Sequence, residues 1–167
     1  MKISNTTMID FCRLAEKPTL NLIPNVSTID ERVHTIIDIV NQFKNAGKYY
    51  YPHCLPGNLS QPIEFNHFGN WLTKKYVTER GEIFRHPERF NQLGGDCDDQ
   101  TIYALIHQPY FPPEFAYKPG NTKILILQNY TNGRKFLHIT QKINGLIVDF
   151  LPYAIPSGTT VLKIFDF

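Results

Sequence analysis

Two Asn-Gly pairs, Asn132-Gly133 and Asn144-Gly145, constrain the fold of this chain more than any other feature. Asparagine tolerates left-handed backbone and glycine adopts it freely, so Asn-Gly between apolar runs specifies a two-residue hairpin turn. The flanking segments, Lys123 to Tyr130, Lys135 to Lys142 and Leu146 to Phe150, therefore read as a three-stranded antiparallel meander. Val161 to Phe165 offers one more strand after a loop over Pro152 to Gly158.

A two-residue turn also sets the register. Ile143 should face Leu146, Thr140 should face Asp149 and His138 should face Leu151 across the second turn. His138 and Asp149 then become diagonal neighbours on one face, about 7–8 Å apart at the backbone and within reach of each other's side chains. The first turn places Leu127 opposite His138, so that face also carries Leu125, Leu127 and Ile147, while Ile124, Ile126, Leu137, Ile139, Val148 and Phe150 share the other. Both faces are apolar, which calls for cover on both sides.

The N-terminal half reads as helical. Ser27 with Asp30 makes an N-cap signature, and Val33, Ile36, Ile37, Val40 and Phe43 follow at helical spacing, predicting a helix from about Thr28 to Ala46. A second helix is expected over Phe68 to Val77, carrying Trp71. The charged stretches Glu79 to Glu82 and Arg85 to Phe90 read as a solvated face. Residues 1–26 read as an arm wrapped on the domain, and Tyr49 to Pro62 as an irregular aromatic and proline-rich loop. The expectation is a single α+β domain, 1–167 with its core over 27–167, in which N-terminal helices pack on a C-terminal antiparallel β-meander.

Between the two halves stands Gly94-Gly95-Asp96-Cys97-Asp98-Asp99-Gln100, followed by an apolar-periodic run that should end near His107, ahead of Pro109. The glycines permit close approaches, Asp96 reads as the N-cap and Asp99 as a weak capping-box partner. Cys97 then falls in the first helical turn, where free N–H groups and the helix dipole lower a thiol pKa and offer donors to an oxyanion. The three aspartates oppose a thiolate, so a cationic partner is required, and His138 is the natural one if this helix covers the His138 face. The bland alternatives are a buried, inert helix cysteine and a satisfied core histidine.

Composition narrows the function classes. A net charge of +2 with scattered lysines and arginines gives no footprint for nucleic acid. Three widely spaced cysteines argue against a disulfide framework or a four-cysteine zinc site, so Cys12 and Cys54 read as structural, and no metal or other cofactor is called for. No apolar run reaches the length of a membrane span, and no signal peptide is visible at Met1 to Thr7, which points to the cytoplasm. His34, His53, His67, His86 and His107 have no partner assignable from spacing.

Gly95-Asp96-Cys97, His138 and Asp149, in that order, resemble the transglutaminase-like cysteine protease superfamily, and the extended Gly-Asp-Cys-Asp-Asp form is similar to its small stand-alone bacterial and phage members. The resemblance covers about Phe90 to Pro152. It implies a papain/transglutaminase-like core, Cys97 as nucleophile, His138 as general base and acid, and Asp149 orienting the imidazole. The oxyanion donor has two candidates, Trp71 and Gln92. The implied function is a thiol hydrolase or acyltransferase, a peptidase, deamidase or crosslinker acting on a protein or peptide. Two other readings stand beside it. One is a catalytically silent structural protein on the same fold, such as a component assembled into a phage virion. The other is a divalent-cation site on Asp96, Asp98 and Asp99.

Overall fold

The structure, a computed structural model, is described for residues 21–23, 28–47, 71–72, 74–79, 81–110, 120–148 and 158–167. Among these residues it is a mixed helix and sheet fold of the α+β kind. In chain order come β1 (Asn21–Leu22), α1 (Ile29–Asn45), β2 (Phe84–Arg85), α2 (Pro87–Leu93) and α3 (Cys97–His107). A 3-10 turn (Gln108–Tyr110) leads to β3 (Thr122–Thr131), β4 (Arg134–Ile143), β5 (Leu146–Val148) and β6 (Thr160–Asp166).

Both Asn-Gly pairs form the expected turns. Asn132 (φ 51°), Gly133 (φ 72°), Asn144 (φ 46°) and Gly145 (φ 85°) all take positive φ, as a type I′ turn demands. The register follows: Leu127 faces His138 and Ile143 faces Leu146. The expected pairs Thr140 with Asp149 and His138 with Leu151 involve residues outside the described set. The fourth strand, β6, joins antiparallel to β3 with a bulge at Ile126/Leu127, giving the sheet order β5-β4-β3-β6.

Helix α1 starts one residue later than its expected cap. Thr28, not Ser27, occupies the N-cap, and Thr28 and Glu31 form a reciprocal capping box with both hydrogen bonds at 3.1 Å. Glutamate reaches back to the cap amide, which a shorter Asp30 side chain serves less well. The helix expected to end at Val77 ends earlier: residues 71, 72, 74 and 75 are helical, and Tyr76 instead bridges to Gly95. Helix α2 lies in the stretch read as a solvated face. Pro87 opens it and the His86 ring accepts from the Glu88 N–H (3.2 Å), a start in which proline's missing N–H costs nothing.

The core joins Val33, Ile36, Ile39, Val40 and Phe43 of α1 and Ile102 to Ile106 of α3 with Ile124, Ile126, Ile139 and Ile143 of the sheet. Leu125, Leu127 and Thr140 are also buried but stand outside this cluster. Side chains alternate along a strand, so α3 packs on the Ile126/Ile139 face and His138 belongs to the reverse face. The expectation that α3 covers the His138 face is corrected. Four isoleucines on one face offer a helix more contiguous apolar surface than two leucines followed by Thr140 and Lys142.

Candidate active site

The glycine pair sets the entry to α3 by close backbone contact. The Gly95 N–H donates to the Lys75 carbonyl (3.0 Å) and the Val77 N–H donates to the Gly95 carbonyl (2.9 Å). A Cβ on Gly94, which has φ 74°, would sit 2.1 Å from the Lys75 carbonyl oxygen, and one on Gly95 would sit 2.2 Å from Asp99 Oδ2. Only glycine admits these approaches.

Cys97 is thereby the first residue of α3, a thiol half-buried and packed against the core. Asp96 holds the N-cap position, but its side chain makes no cap hydrogen bond, and Asp99 is no capping-box partner. The carboxylates of Asp96 and Asp98 instead gather with the thiol, their oxygens and Cys97 Sγ lying within 4.8 Å of one another.

Asp99 turns toward β2. Its Oδ1 accepts from the Arg85 backbone N–H (2.5 Å) and its Oδ2 from Arg85 Nη1 (2.9 Å), while the same guanidinium pairs with Glu79. Asp98 turns toward α1, where Arg32 Nε lies 3.6 Å from Oδ2 and Arg32 also pairs with Glu82. The side chains of Asp98, Asp99 and Glu79 are 1%, 0% and 2% exposed. The charges of Glu79, Glu82 and Arg85 therefore join a largely buried network with Asp98 and Asp99, not a solvated face. Three aspartates driven inward by the packing of α3 need counter-charges, and that need was the signal available in the sequence.

Burial sets the protonation of this network. Asp96 is pushed up to about 8 by burial and then by its neighbour Asp98. Asp98 is pushed up to about 7, again chiefly by burial, with Glu82 adding to the rise and Arg32 opposing it. Burial and the Asp98 charge raise Asp99 well above the ordinary carboxylate range, against the Arg85 donors. Near neutral pH the acids closest to the thiol therefore carry much less negative charge than their number suggests.

His138 lies on β4, half-buried, with the Phe136 ring stacked beside it (centroids 6.3 Å, interplanar 20°). Strand β5 pairs only with Gln141 to Ile143 among the described residues, so His138 stands beyond that pairing. Asp149, Cys12 and Cys54 lie outside the described residues, as do His53 and His67. Trp71 stacks on Tyr103 (5.2 Å), meets Phe90 edge-on (6.1 Å) and carries Lys75 Nζ over its ring (5.2 Å). Tyr103 is about 9 Å along the helix axis from Cys97 at the ordinary rise per residue. Gln92 is exposed near the end of α2. Of the other histidines, His34 meets Phe165 edge-on and His107 Nδ1 lies 2.7 Å from the Tyr103 carbonyl.

Among the described residues, two sets of side chains bring potential ligand atoms within 4.8 Å of one another: Asp96, Cys97 and Asp98, and Glu79, Asp96 and Asp99. In the second set the Arg85 guanidinium already occupies the electropositive position between Glu79 and Asp99. No family model, no curated protein and no solved structure matches the chain.

Proposed function

We propose that the protein is a cysteine-nucleophile amide hydrolase or acyltransferase with a papain/transglutaminase-like core, acting on a protein or peptide. The observation that carries this reading is the placement of Cys97, half-buried at the first position of a helix whose cap residue makes no side-chain cap hydrogen bond. A thiolate there faces the positive end of the helix, and the same N–H groups face an oxyanion formed on the attacked carbonyl. The raised pKa values of Asp96 and Asp98 lessen the repulsion that three aspartates would otherwise impose.

In this reading His138 takes the Cys97 proton as sulfur attacks the amide carbon, then delivers it to the departing nitrogen, leaving a thioester. Water or an amine attacks the thioester, His138 takes up its proton, and the thiol is restored. Asp149 orients the imidazole.

The test is iodoacetamide labelling across pH, comparing Cys97 with Cys12 and Cys54 and repeating it in His138→Ala and Asp149→Asn. Rapid labelling of Cys97 at or below neutral pH, slowed by His138→Ala, is expected. Labelling at an ordinary thiol pKa, indifferent to both substitutions, would sink the enzyme reading.

A second reading, favoured by the convergence of Asp96, Cys97 and Asp98, is a divalent-cation site. It requires a calorimetric signal with manganese or calcium that Asp98→Asn removes, and is refuted by a flat titration.

A further inference from the structure

We infer that the free end of the β3–β4 hairpin is a recognition arm for an acidic polypeptide segment bearing an aromatic or aliphatic side chain. This rests on the amide-cleaving reading above, because it names the substrate class that reaches His138.

Among the described residues the tip of the hairpin outruns its neighbours: β6 pairs with Lys123 to Gln128 and β5 with Gln141 to Ile143, so the ribbon from Asn129 to Phe136 has no third strand there. Its base is braced where Asn129 Nδ2 donates to Thr159 Oγ1 (2.8 Å). Beyond that brace Tyr130 is 61% exposed, and beside it Phe136 and Leu137 are 49% and 38% exposed, a concentration of apolar surface at one end of the hairpin.

Charge on the arm has one sign. The ribbon from Asn129 to Phe136 carries Arg134 and Lys135 and no aspartate or glutamate, although the whole chain is only at +2. Alternation puts Arg134 with Phe136 on one face and Lys135 with Tyr130 and Leu137 on the other. Each face thus offers a cation beside an apolar group, which fits a carboxylate next to an apolar side chain. Phe136 shares its face with His138 and stacks on it, so an apolar residue seated on Phe136 is delivered beside the imidazole.

Two other occupants fit less well. The tip itself, Asn132-Gly133-Arg134, is polar, so tip-first entry into lipid would bury a charge ahead of the apolar groups. A nucleic-acid strand is held by cations tracking successive phosphates, whereas the exposed tip carries only Arg134 and Lys135.

Fluorescence anisotropy with the full chain decides the matter. Three fluorescein-labelled probes are used: a peptide alternating glutamate and phenylalanine around a central glutamine, its lysine-for-glutamate counterpart, and an oligothymidylate of matching charge. The acidic peptide should bind at least about tenfold more tightly than either of the others. That advantage should vanish in Arg134→Glu/Lys135→Glu and shrink about threefold or more in Phe136→Ala. These residues are exposed, and unchanged circular dichroism confirms that the variants fold. Equal binding of the basic peptide, tighter binding of the oligonucleotide, or acidic binding indifferent to the arm variants would overturn the proposal. Selective acidic binding through the arm, combined with Cys97 labelling that ignores His138→Ala, would overturn the enzyme reading alone.

Discussion

Arg85 holds Asp99 twice, through its backbone N–H at 2.5 Å and its guanidinium at 2.9 Å. The contact joins β2 to the first turn of α3, and Glu79 shares the guanidinium, so the helix that Cys97 opens is anchored from outside itself.

Removing one member of a buried pair leaves the other charge uncompensated. Arg85→Ala should therefore destabilise the fold by about 3–5 kcal/mol in urea denaturation. Asp99→Asn, which keeps an acceptor for the Arg85 N–H, should cost less. Equal costs for the two substitutions would show that the backbone contact contributes little.

The raised carboxyls couple stability to pH. For Asp98, about 7 when folded against a model value of 3.8, the folded state holds its proton where the unfolded chain has lost it. Its contribution to stability is thus fully present below about 4 and lost as pH rises through about 7. Asp98→Asn removes that loss and should stabilise the protein at pH 8 by on the order of 1–3 kcal/mol, with little effect at pH 4. Thermal melts at both pH values check this, and a gain at pH 4 equal to that at pH 8 would contradict it.

The two glycines before Cys97 are not interchangeable with alanine. Gly94→Ala meets the Lys75 carbonyl at 2.1 Å with φ 74°, a clash with backbone that no rotamer change relieves. A cost of about 3 kcal/mol or more is expected, by overpacking and left-handed strain together. Gly81→Ala, with φ 86° but nothing within 4 Å, should cost only about 1–2 kcal/mol. Chemical denaturation of both variants separates steric clash from backbone strain.

At the far end of the core, Thr28→Ala removes the side-chain acceptor for the Glu31 N–H and should cost about 1 kcal/mol, whereas Ser27→Ala should be close to neutral. Denaturation midpoints of the two variants locate the cap.

The hairpins were legible because their signals are local. Asn-Gly at a two-residue turn admits one backbone twist, and the register counted from it placed Leu127 opposite His138 as the structure has it. The first helix was legible from its apolar spacing, although its cap lay one residue from the expected one, since Ser27 and Thr28 carry nearly the same chemistry. Helix α2 was harder to read, because a short charged stretch with one buried phenylalanine lacks a periodic stripe.

The sequence by itself determined the turns, the strand register, the span of α3 and the position of Cys97 at its start, all consequences of backbone preferences acting over a few residues. Only the tertiary structure decided which sheet face receives α3, that Arg85 and Glu79 are partners of Asp99, and that burial pushes the Asp96 and Asp98 carboxyls well above the ordinary carboxylate range. Those outcomes depend on how much water is excluded when distant segments meet, and solvent exclusion is a property of the packed whole that local spacing does not encode.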